Sequence, residues 1–318
     1  MFGSRINILQ NYVIKHIESV TASFYYCFLL SGEGLSIMML TELTLYPIKS
    51  CHGIALQEAT ITSSGLASGT IQDREWMVVD AQGQFVTQRT HPKMATITPR
   101  LNANMMELRA PGLQALSIPI ERPDSNAPSL NVRVWRDSIK AHDCGDEAAS
   151  WMSQVVGNGC RLVRFHPQSN RTPNTKWTGG IEAHNMFSDS YPFLVLSQAS
   201  LDDLNQKLLS QGREAIPMNR FRPNIVIGNV PAYEEDHTHS IRIDDAVLQL
   251  VRPCQRCPVP SVDQATGIVG PDPLDILKTY HTSEALRGAV TFGMHATLLQ
   301  GAGQTLRVGQ HIAMSSIL

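Results

Sequence analysis

Short apolar runs separated by turn residues constrain the fold of this chain more than any other feature. Residues 75–79, 132–135, 224–227 and 247–251 are examples, rich in Val, Ile, Leu and Trp and flanked closely by Gly, Pro, Asn or Asp. Runs of this kind predict short β-strands. Many short strands between turns favour a barrel or sandwich over a parallel sheet. The sequence therefore predicts a mostly β fold of β-barrel type with a few helices.

The helix with the clearest signals starts near Ser200. This serine is a good N-cap residue, with Asp203 three positions later, and Gly212 is placed to end the helix. Four leucines then fall on one helical face: Leu201, Leu204, Leu208 and Leu209. A chain of 318 residues is long enough for two structural units.

Residues 1–37 precede the first convincing strand. Their apolar stretch, residues 24–30, is far shorter than the ~20 residues that a spanning helix needs. Mixed charges upstream and the lack of a small-residue cleavage site argue against a signal peptide. We expect residues 1–37 to be a loosely ordered extension, and we expect no membrane span.

Composition and motifs exclude several classes of function. The chain has 26 basic and 28 acidic residues, so its net charge of -2 gives no overall field that attracts nucleic acid. Six cysteines without regular spacing do not indicate a disulfide framework, which favours a reducing compartment such as the cytoplasm. The sequence contains no GxGxxG motif between strand and helix, and no P-loop, GxSxG or HExxH motif. Nucleotide-binding and hydrolase classes are therefore disfavoured.

Residues 252–263 carry the most distinctive chemistry of the chain. Cys254 and Cys257 lie beside Arg252 and Arg256, directly after a predicted strand. Three prolines in the stretch stop any regular element, so the thiols lie on a stiff loop at the end of a strand. Neighbouring guanidinium groups favour thiolate over thiol, and thiolate is the form that binds metal or attacks an electrophile.

Three chemical interpretations of this loop remain open, beside one in which the cysteines only pack. A zinc site needs a second Cys or His pair, but the other cysteines are scattered singly. A dithiol redox motif opens a helix, and no helical pattern follows here. The third interpretation is a single thiolate that anchors a soft metal whose other ligands come from an organic cofactor.

Several groups at predicted strand ends are candidates for binding an anion. Lys49 and Ser50 follow one strand, whereas Arg74 and Arg222 precede others. Each alone is typical of a solvated surface. Arg222 stands out because it abuts an apolar run, and a partly buried guanidinium needs a carboxylate or phosphate partner. His295 alone is typical of a partly buried structural imidazole.

Taken together, these motifs resemble the MOSC-domain molybdenum proteins, in particular the amidoxime-reducing components and bacterial reductases of N-hydroxylated compounds. The resemblance runs in order from about Leu40 to the C-terminus. It rests on residues 45–50, 73–74, 221–224, 254–257, 262–263 and 266–267. It implies an N-terminal β-barrel domain over residues 38–155 and a MOSC β-barrel core over residues 156–318.

The resemblance also implies a site and a cofactor. Cys257 matches the catalytic thiolate that binds molybdenum in the family, and Cys254 is then a neighbour and not a ligand. Ten further residues match positions that line the molybdopterin cofactor in the family: Lys49, Ser50, Arg74, Ser190, Tyr191, Arg222, Asn224, Gln255, Arg256 and His295. Two departures are visible: Pro258–Val259–Pro260 replaces an aliphatic-threonine run, and His295 replaces a tyrosine or asparagine.

The activity implied by the resemblance is reduction of small N-hydroxylated compounds to the amine and water. Some relatives carry a C-terminal ferredoxin domain, whose cysteine set this sequence lacks. We therefore expect electrons from a separate ferredoxin- or flavoprotein-type partner. Two alternatives are sulfur transfer through a Cys257 persulfide and non-catalytic carriage of the cofactor. The lack of a pyridoxal-phosphate domain weighs against sulfur transfer.

Overall fold

The computed structural model describes residues 37–124, 127–181 and 183–316. In these residues strands predominate over helices, so the predicted mostly β class is confirmed. The predicted extension over residues 1–37 lies outside the described residues except for Ile37. No helix among the described residues is both long enough and apolar enough to cross a membrane.

The described residues form twenty strands, numbered in chain order. They are β1 (Met39–Leu45), β2 (Ile54–Leu56), β3 (Glu58–Thr62), β4 (Gly65–Ser68), β5 (Ile71–Gln72), β6 (Trp76–Asp80), β7 (Thr98–Leu101), β8 (Met105–Arg109), β9 (Leu116–Pro119), β10 (Ser129–Val134), β11 (Asp137–Asp143), β12 (Cys160–Phe165), β13 (Phe193–Ser197), β14 (Ile225–Gly228), β15 (Thr238–Ile243), β16 (Ala246–Gln255), β17 (Thr282–Ser283), β18 (Ala289–Gln300), β19 (Thr305–Arg307) and β20 (Ala313–Ser316).

The helices are fewer and shorter. The α-helices are α1 (Asp146–Val156), α2 (Gln198–Ser210), α3 (Glu234–His237) and α4 (Leu274–Leu277). Single 3₁₀ turns cover Pro92–Thr96, Met218–Arg220, Val259–Ser261 and Glu284–Leu286.

The largest sheet has nine strands, with β2, β1, β14, β13, β18, β16, β15 and β20 side by side and β17 paired to β18. Its pairs are antiparallel except for β13 with β14, which are parallel. Two four-stranded sheets, β10-β11-β12-β6 and β19-β3-β4-β5, and a three-stranded sheet, β7-β8-β9, complete the architecture.

The register of the large sheet brings distant segments to one edge. Leu43 pairs with Ile225 in the antiparallel β1–β14 ladder, and Ile225 pairs with Val195 in the parallel β14–β13 ladder. The end of β1 therefore lies beside the starts of β13 and β14. Residues that follow β1 and residues that precede β13 and β14 meet there, although about 140 to 180 positions separate them in sequence.

Strands from the two halves of the chain are shared between sheets. β1 pairs with β14, and β19 pairs with β3. Met38 and the residues after it form one compact unit. The boundary near Val155 therefore stays a prediction.

Helix α2 corrects the predicted N-cap and the predicted burial of one leucine. Ser197, not Ser200, is the N-cap, since its hydroxyl accepts a hydrogen bond from the Ser200 amide. Ser200 is buried and instead donates to the Glu235 carboxylate at 2.8 Å. Leu201, Leu204 and Leu208 are buried as expected, but Leu209 is 57% exposed. The prediction that all four leucines lie on the buried face of the helix is therefore wrong for Leu209.

Gly293 in β18 permits a close approach to β13. Its φ is +78°, and a Cβ atom there would lie 2.8 Å from the Val195 carbonyl oxygen and 2.6 Å from Leu196 Cγ. We expect Gly293→Ala to lower the free energy of unfolding by about 2–5 kcal/mol, because backbone strain and overpacking add. Gly303→Ala is the matched control, with φ +87° and open space around it. It is expected to cost only about 1–2 kcal/mol. Urea unfolding measures both, and equal losses would contradict the packing argument.

Candidate functional site

A cavity of about 1010 Å³ opens at the edge of the large sheet where these segments meet. All eleven residues predicted for the site line it: Lys49, Ser50, Arg74, Ser190, Tyr191, Arg222, Asn224, Gln255, Arg256, Cys257 and His295. The structure thus brings together residues from six segments of the chain. Their individual roles stay predictions.

The cavity is strongly basic although the whole chain is slightly acidic. Aspartates contribute only Asp137 and Asp189 to the lining. The basic side chains are Lys49, Arg74, Arg89, Arg136, Arg171, Arg222, Arg252 and Arg256. A cavity lined by one sign of charge concentrates ligands of the opposite sign. The geometry is therefore that of a binding site for an anionic ligand.

Three predicted residues have left-handed backbone conformations. The φ angles are +66° at Ser50, +51° at Arg74 and +59° at Arg222. Residues other than glycine rarely adopt this region, and such strain clusters at functional sites. The fold holds these side chains in place at a conformational cost, which supports a role for the cavity.

Tyr46 positions two of the arginines. The Cζ atoms of Arg74 and Arg222 lie 4.2 Å and 4.3 Å from the centroid of its buried ring. Cation–π contacts of this kind hold guanidinium groups against an aromatic face. Burial lowers the pKa of Arg222. Its Nη1 donates to Gln264 Oε1 at 3.2 Å, and no carboxylate among the described residues forms an ion pair with it.

Asp73 anchors the same corner from inside. Its Oδ1 accepts from the Tyr46 amide at 2.8 Å and from Asn224 Nδ2 at 3.0 Å, and its Oδ2 accepts from Arg74. Burial raises the pKa of this carboxyl, although Arg74 and the hydrogen bonds oppose the shift. Asn224 also donates to the Thr44 carbonyl at 3.2 Å. Asn224 therefore lines the cavity while it ties β1 to the start of β14.

Lys49 is buried and paired with Asp189. Its Nζ donates to Asp189 and, at 2.8 Å, to the Phe187 carbonyl. Asp189 also accepts from Trp135 Nε1 at 2.9 Å. Burial lowers the pKa of Lys49 to about 8, although Asp189 opposes the shift. The ammonium group therefore stays mostly protonated at neutral pH and loses its proton as the pH rises through about 8.

Ser190 and Tyr191 lie on the segment that leads into β13. Asn185 Nδ2 donates to the Ser190 carbonyl at 2.8 Å, and the Tyr191 hydroxyl donates to the Asn174 carbonyl at 3.1 Å. The Tyr191 ring lies 5.3 Å from the His295 ring. These contacts fix one wall of the cavity.

The two cysteines occupy different environments, and only Cys257 lies on the loop. Strand β16 continues through Pro253 to Gln255, so the prediction that both thiols lie outside regular structure is wrong for Cys254. Cys254 is buried, and its Sγ accepts from Arg256 Nη1 at 3.0 Å. Burial alone would raise its pKa, but Arg256 and His295 lower it to about 6. Cys257 is partly exposed and lines the cavity. Cys254 is thus engaged by the protein, and Cys257 faces the space that a ligand would fill.

Arg256 and Gln255 differ in how they face the cavity. Besides its contact with Cys254, Arg256 donates from Nη2 to the Phe221 carbonyl at 2.7 Å. Its guanidinium therefore links the end of β16 to the segment before β14. Gln255 is exposed.

Among the described residues there is no cluster of three or more His, Cys, Asp or Glu side chains that could hold a metal ion alone. None of the described cysteines forms a disulfide.

Sequence reasoning missed several residues of the lining, among them Arg89, Trp135, Arg171, Asp189 and Arg252. Trp135 is 46% exposed and has a φ of +56°. No sequence pattern predicts this backbone conformation for a tryptophan. Arg252 had a signal, since it stands two residues before Cys254 at the end of a predicted strand.

Comparison with known proteins identifies the family. Residues 37–159 match the model described as the MOSC N-terminal beta barrel domain, and residues 182–313 match the MOSC domain. The chain belongs to the MOSC family. This confirms the predicted resemblance, including the β-barrel N-terminal domain that the family model describes.

Named MOSC relatives cover most of the chain. Mitochondrial amidoxime-reducing component 1 of Mus musculus is 36% identical over 85% of this chain and 80% of its own length. Mitochondrial amidoxime reducing component 2 of Homo sapiens is 35% identical over 75% of this chain and 71% of its own length. Molybdenum cofactor sulfurase of Drosophila grimshawi is 31% identical over 82% of this chain but only 32% of its own length.

Solved structures resemble this MOSC chain only in part. A protein of Bordetella bronchiseptica matches 34% of this chain and 85% of its own at 26% identity, with a TM-score of 0.29. YiiM from Geobacillus stearothermophilus matches 39% of this chain and 54% of its own at 14% identity, with a TM-score of 0.27. Scores this low support no conclusion about the site.

Proposed function

We propose that this protein is a molybdenum cofactor-dependent reductase that converts N-hydroxylated compounds to the amine and water. The observation that carries the proposal is that the partly exposed Cys257 lines the same cavity as Lys49, Arg74 and Arg222. Relatives named amidoxime-reducing components support the reaction. Electrons would come from a separate ferredoxin- or flavoprotein-type protein, and the protein would act in the cytoplasm.

The donor set fits molybdopterin. The cofactor ends in a phosphate, and Lys49, Arg74 and Arg222 offer two guanidinium forks and an ammonium group for it. A thiolate is a suitable ligand for a soft metal, and Cys257 lines the same cavity.

In this proposal the chain binds and orients, and the cofactor when bound would supply the two electrons that cleave the N–O bond, with two protons taken from solvent to give the amine and water. Lys49, Arg74 and Arg222 would hold the phosphate, while Cys257 would hold the metal. Ser50, Ser190, Tyr191, Asn224, Gln255, Arg256 and His295 shape the remaining walls. The buried Cys254–Arg256 contact keeps the Cys257 loop in one conformation.

Sulfur transfer through a Cys257 persulfide is the second candidate, because one relative is named a molybdenum cofactor sulfurase. This chain spans only 32% of that relative. Mass spectrometry of Cys257 after incubation with a sulfur donor distinguishes the candidates. A stable, transferable persulfide without bound molybdenum would favour sulfur transfer.

The direct test is turnover. Protein purified from a host that makes molybdopterin should reduce benzamidoxime with an artificial one-electron donor. Protein from a host unable to make the cofactor should not. A loaded protein that reduces no N-hydroxylated compound would be a cofactor carrier, and the proposal would be wrong.

Lys49 gives the proposal a pH signature. Because its pKa is about 8, the cavity loses one positive charge as the pH rises through that value. We expect affinity for the cofactor to fall by up to about tenfold per pH unit above pH 8. Lys49→Arg should lose most of this dependence, since arginine stays protonated. Pterin content after gel filtration at pH 7, 8 and 9 measures it; the same profile in both proteins would contradict the assignment.

A further inference from the structure

Arg252 is a cation of the cavity whose Nε has no hydrogen-bond acceptor among the described residues. It lies in β16 and lines the cavity. Its Nε is buried and has no hydrogen-bond partner among the described residues. Its Cζ lies 5.7 Å from the centroid of the Trp177 ring. A buried N–H donor without an acceptor is costly, so such an atom indicates a missing ligand.

His295 supplies a second orphaned donor at the same place. Arg252 and His295 are direct partners across the antiparallel β16–β18 ladder. Opposed residues of such a pair present their side chains on one face of the sheet, with Cβ atoms about 4.5–5.5 Å apart. His295 Nδ1 is likewise buried without a partner among the described residues. Two buried nitrogens without a partner thus start from neighbouring points on one cavity wall, Arg252 Nε as a donor and His295 Nδ1 as a donor when it carries the ring proton.

Three basic side chains of the cavity differ from Arg252 because each is paired with a carboxylate. These pairs are Lys49 with Asp189, Arg74 with Asp73, and Arg171 with Asp137. Within the part of the chain that the structure describes, Arg252 contacts no carboxylate. The Tyr191 ring, 5.3 Å from that of His295, closes the wall, and the Tyr191 hydroxyl is engaged with Asn174.

We propose that Arg252 and His295 form a subsite for a carboxylate group of the substrate. The inference rests on the proposed function and narrows it to N-hydroxylated compounds that carry a carboxylate. The two oxygens of a carboxylate match one donor from each residue, and the planar guanidinium suits such an anion. In the proposed function Lys49, Arg74 and Arg222 already hold the cofactor phosphate. Arg252 is then available to the substrate.

The test compares 4-carboxybenzamidoxime with benzamidoxime on the loaded enzyme. For the wild-type protein we expect a KM about tenfold lower for the carboxylate compound, since a charge-assisted hydrogen bond supplies that factor. Arg252→Gln should remove the preference by raising the KM for 4-carboxybenzamidoxime to about that for benzamidoxime. Arg242→Gln, on an exposed position of β15, is the matched control and should behave as wild type.

A binding measurement separates this inference from the proposed function. Benzoate should quench tryptophan fluorescence of the wild-type protein, because Trp177 lies beside Arg252, and should not quench that of Arg252→Gln. Benzoate binding without turnover of either amidoxime would sink the proposed function and keep the subsite. Turnover of both compounds with equal KM, or benzoate binding unaffected by the substitution, would overturn the subsite. Loss of pterin from Arg252→Gln would assign Arg252 to the cofactor and also overturn it.

Discussion

Cys257→Ala is expected to reduce amidoxime turnover to background and to release molybdenum from the purified protein. The thiol lines the cavity among the basic side chains. No cluster of metal-binding side chains among the described residues can replace it. Turnover with an artificial donor and metal content by elemental analysis measure the two losses.

Cys254→Ala is the matched control for this variant. Cys254 is buried behind the loop and engaged by Arg256, so its removal should leave much of the activity and the metal. The same substitution should lower stability, because the Arg256 guanidinium loses a charged partner. An essential Cys254 together with a dispensable Cys257 would show that the site assignment is wrong.

Asp73→Ala is expected to lower the free energy of unfolding by about 3–5 kcal/mol, since it leaves Arg74 half-buried without its carboxylate. It also removes the acceptor that joins the Tyr46 amide to Asn224. With this corner loosened, we expect the protein to lose its cofactor during purification. Urea unfolding and pterin content measure the two effects.

Two further variants test the cause of that loss. Asp73→Asn keeps an oxygen acceptor and should cost clearly less than Asp73→Ala. Asp202→Ala removes an exposed carboxylate of α2, and its effect should stay within about 0.5 kcal/mol. If Asp73→Ala were as mild as Asp202→Ala, the buried carboxylate would not organise the arginines.

The mostly β class could be predicted from sequence because strand runs and turn residues are local signals. The Cys254–Cys257 loop was recognisable for the same reason. The meeting of Lys49 with Arg222 was not a local signal, since it depends on the antiparallel pairing of β1 with β14. Only the resemblance to a family linked these segments before the structure did.

The errors have physical causes. Ser197 and Ser200 both suit an N-cap, and the choice depends on Glu235, which recruits the Ser200 hydroxyl from 35 positions away. Leu209 fits the helical period but lies on the exposed side of α2. Asp189 and Trp135 both line the cavity, and a hydrogen bond joins them although 54 positions separate them in sequence. Periodicity cannot register contacts of this range.

The central claim is that Cys257 binds a molybdenum cofactor within this basic cavity. Elemental analysis combined with pterin extraction, on protein from a host that makes molybdopterin, tests it most directly. The account predicts about one molybdenum and one pterin per chain in the wild-type protein, and neither metal nor turnover in Cys257→Ala. Wild-type protein that contains neither molybdenum nor pterin under these conditions would contradict it.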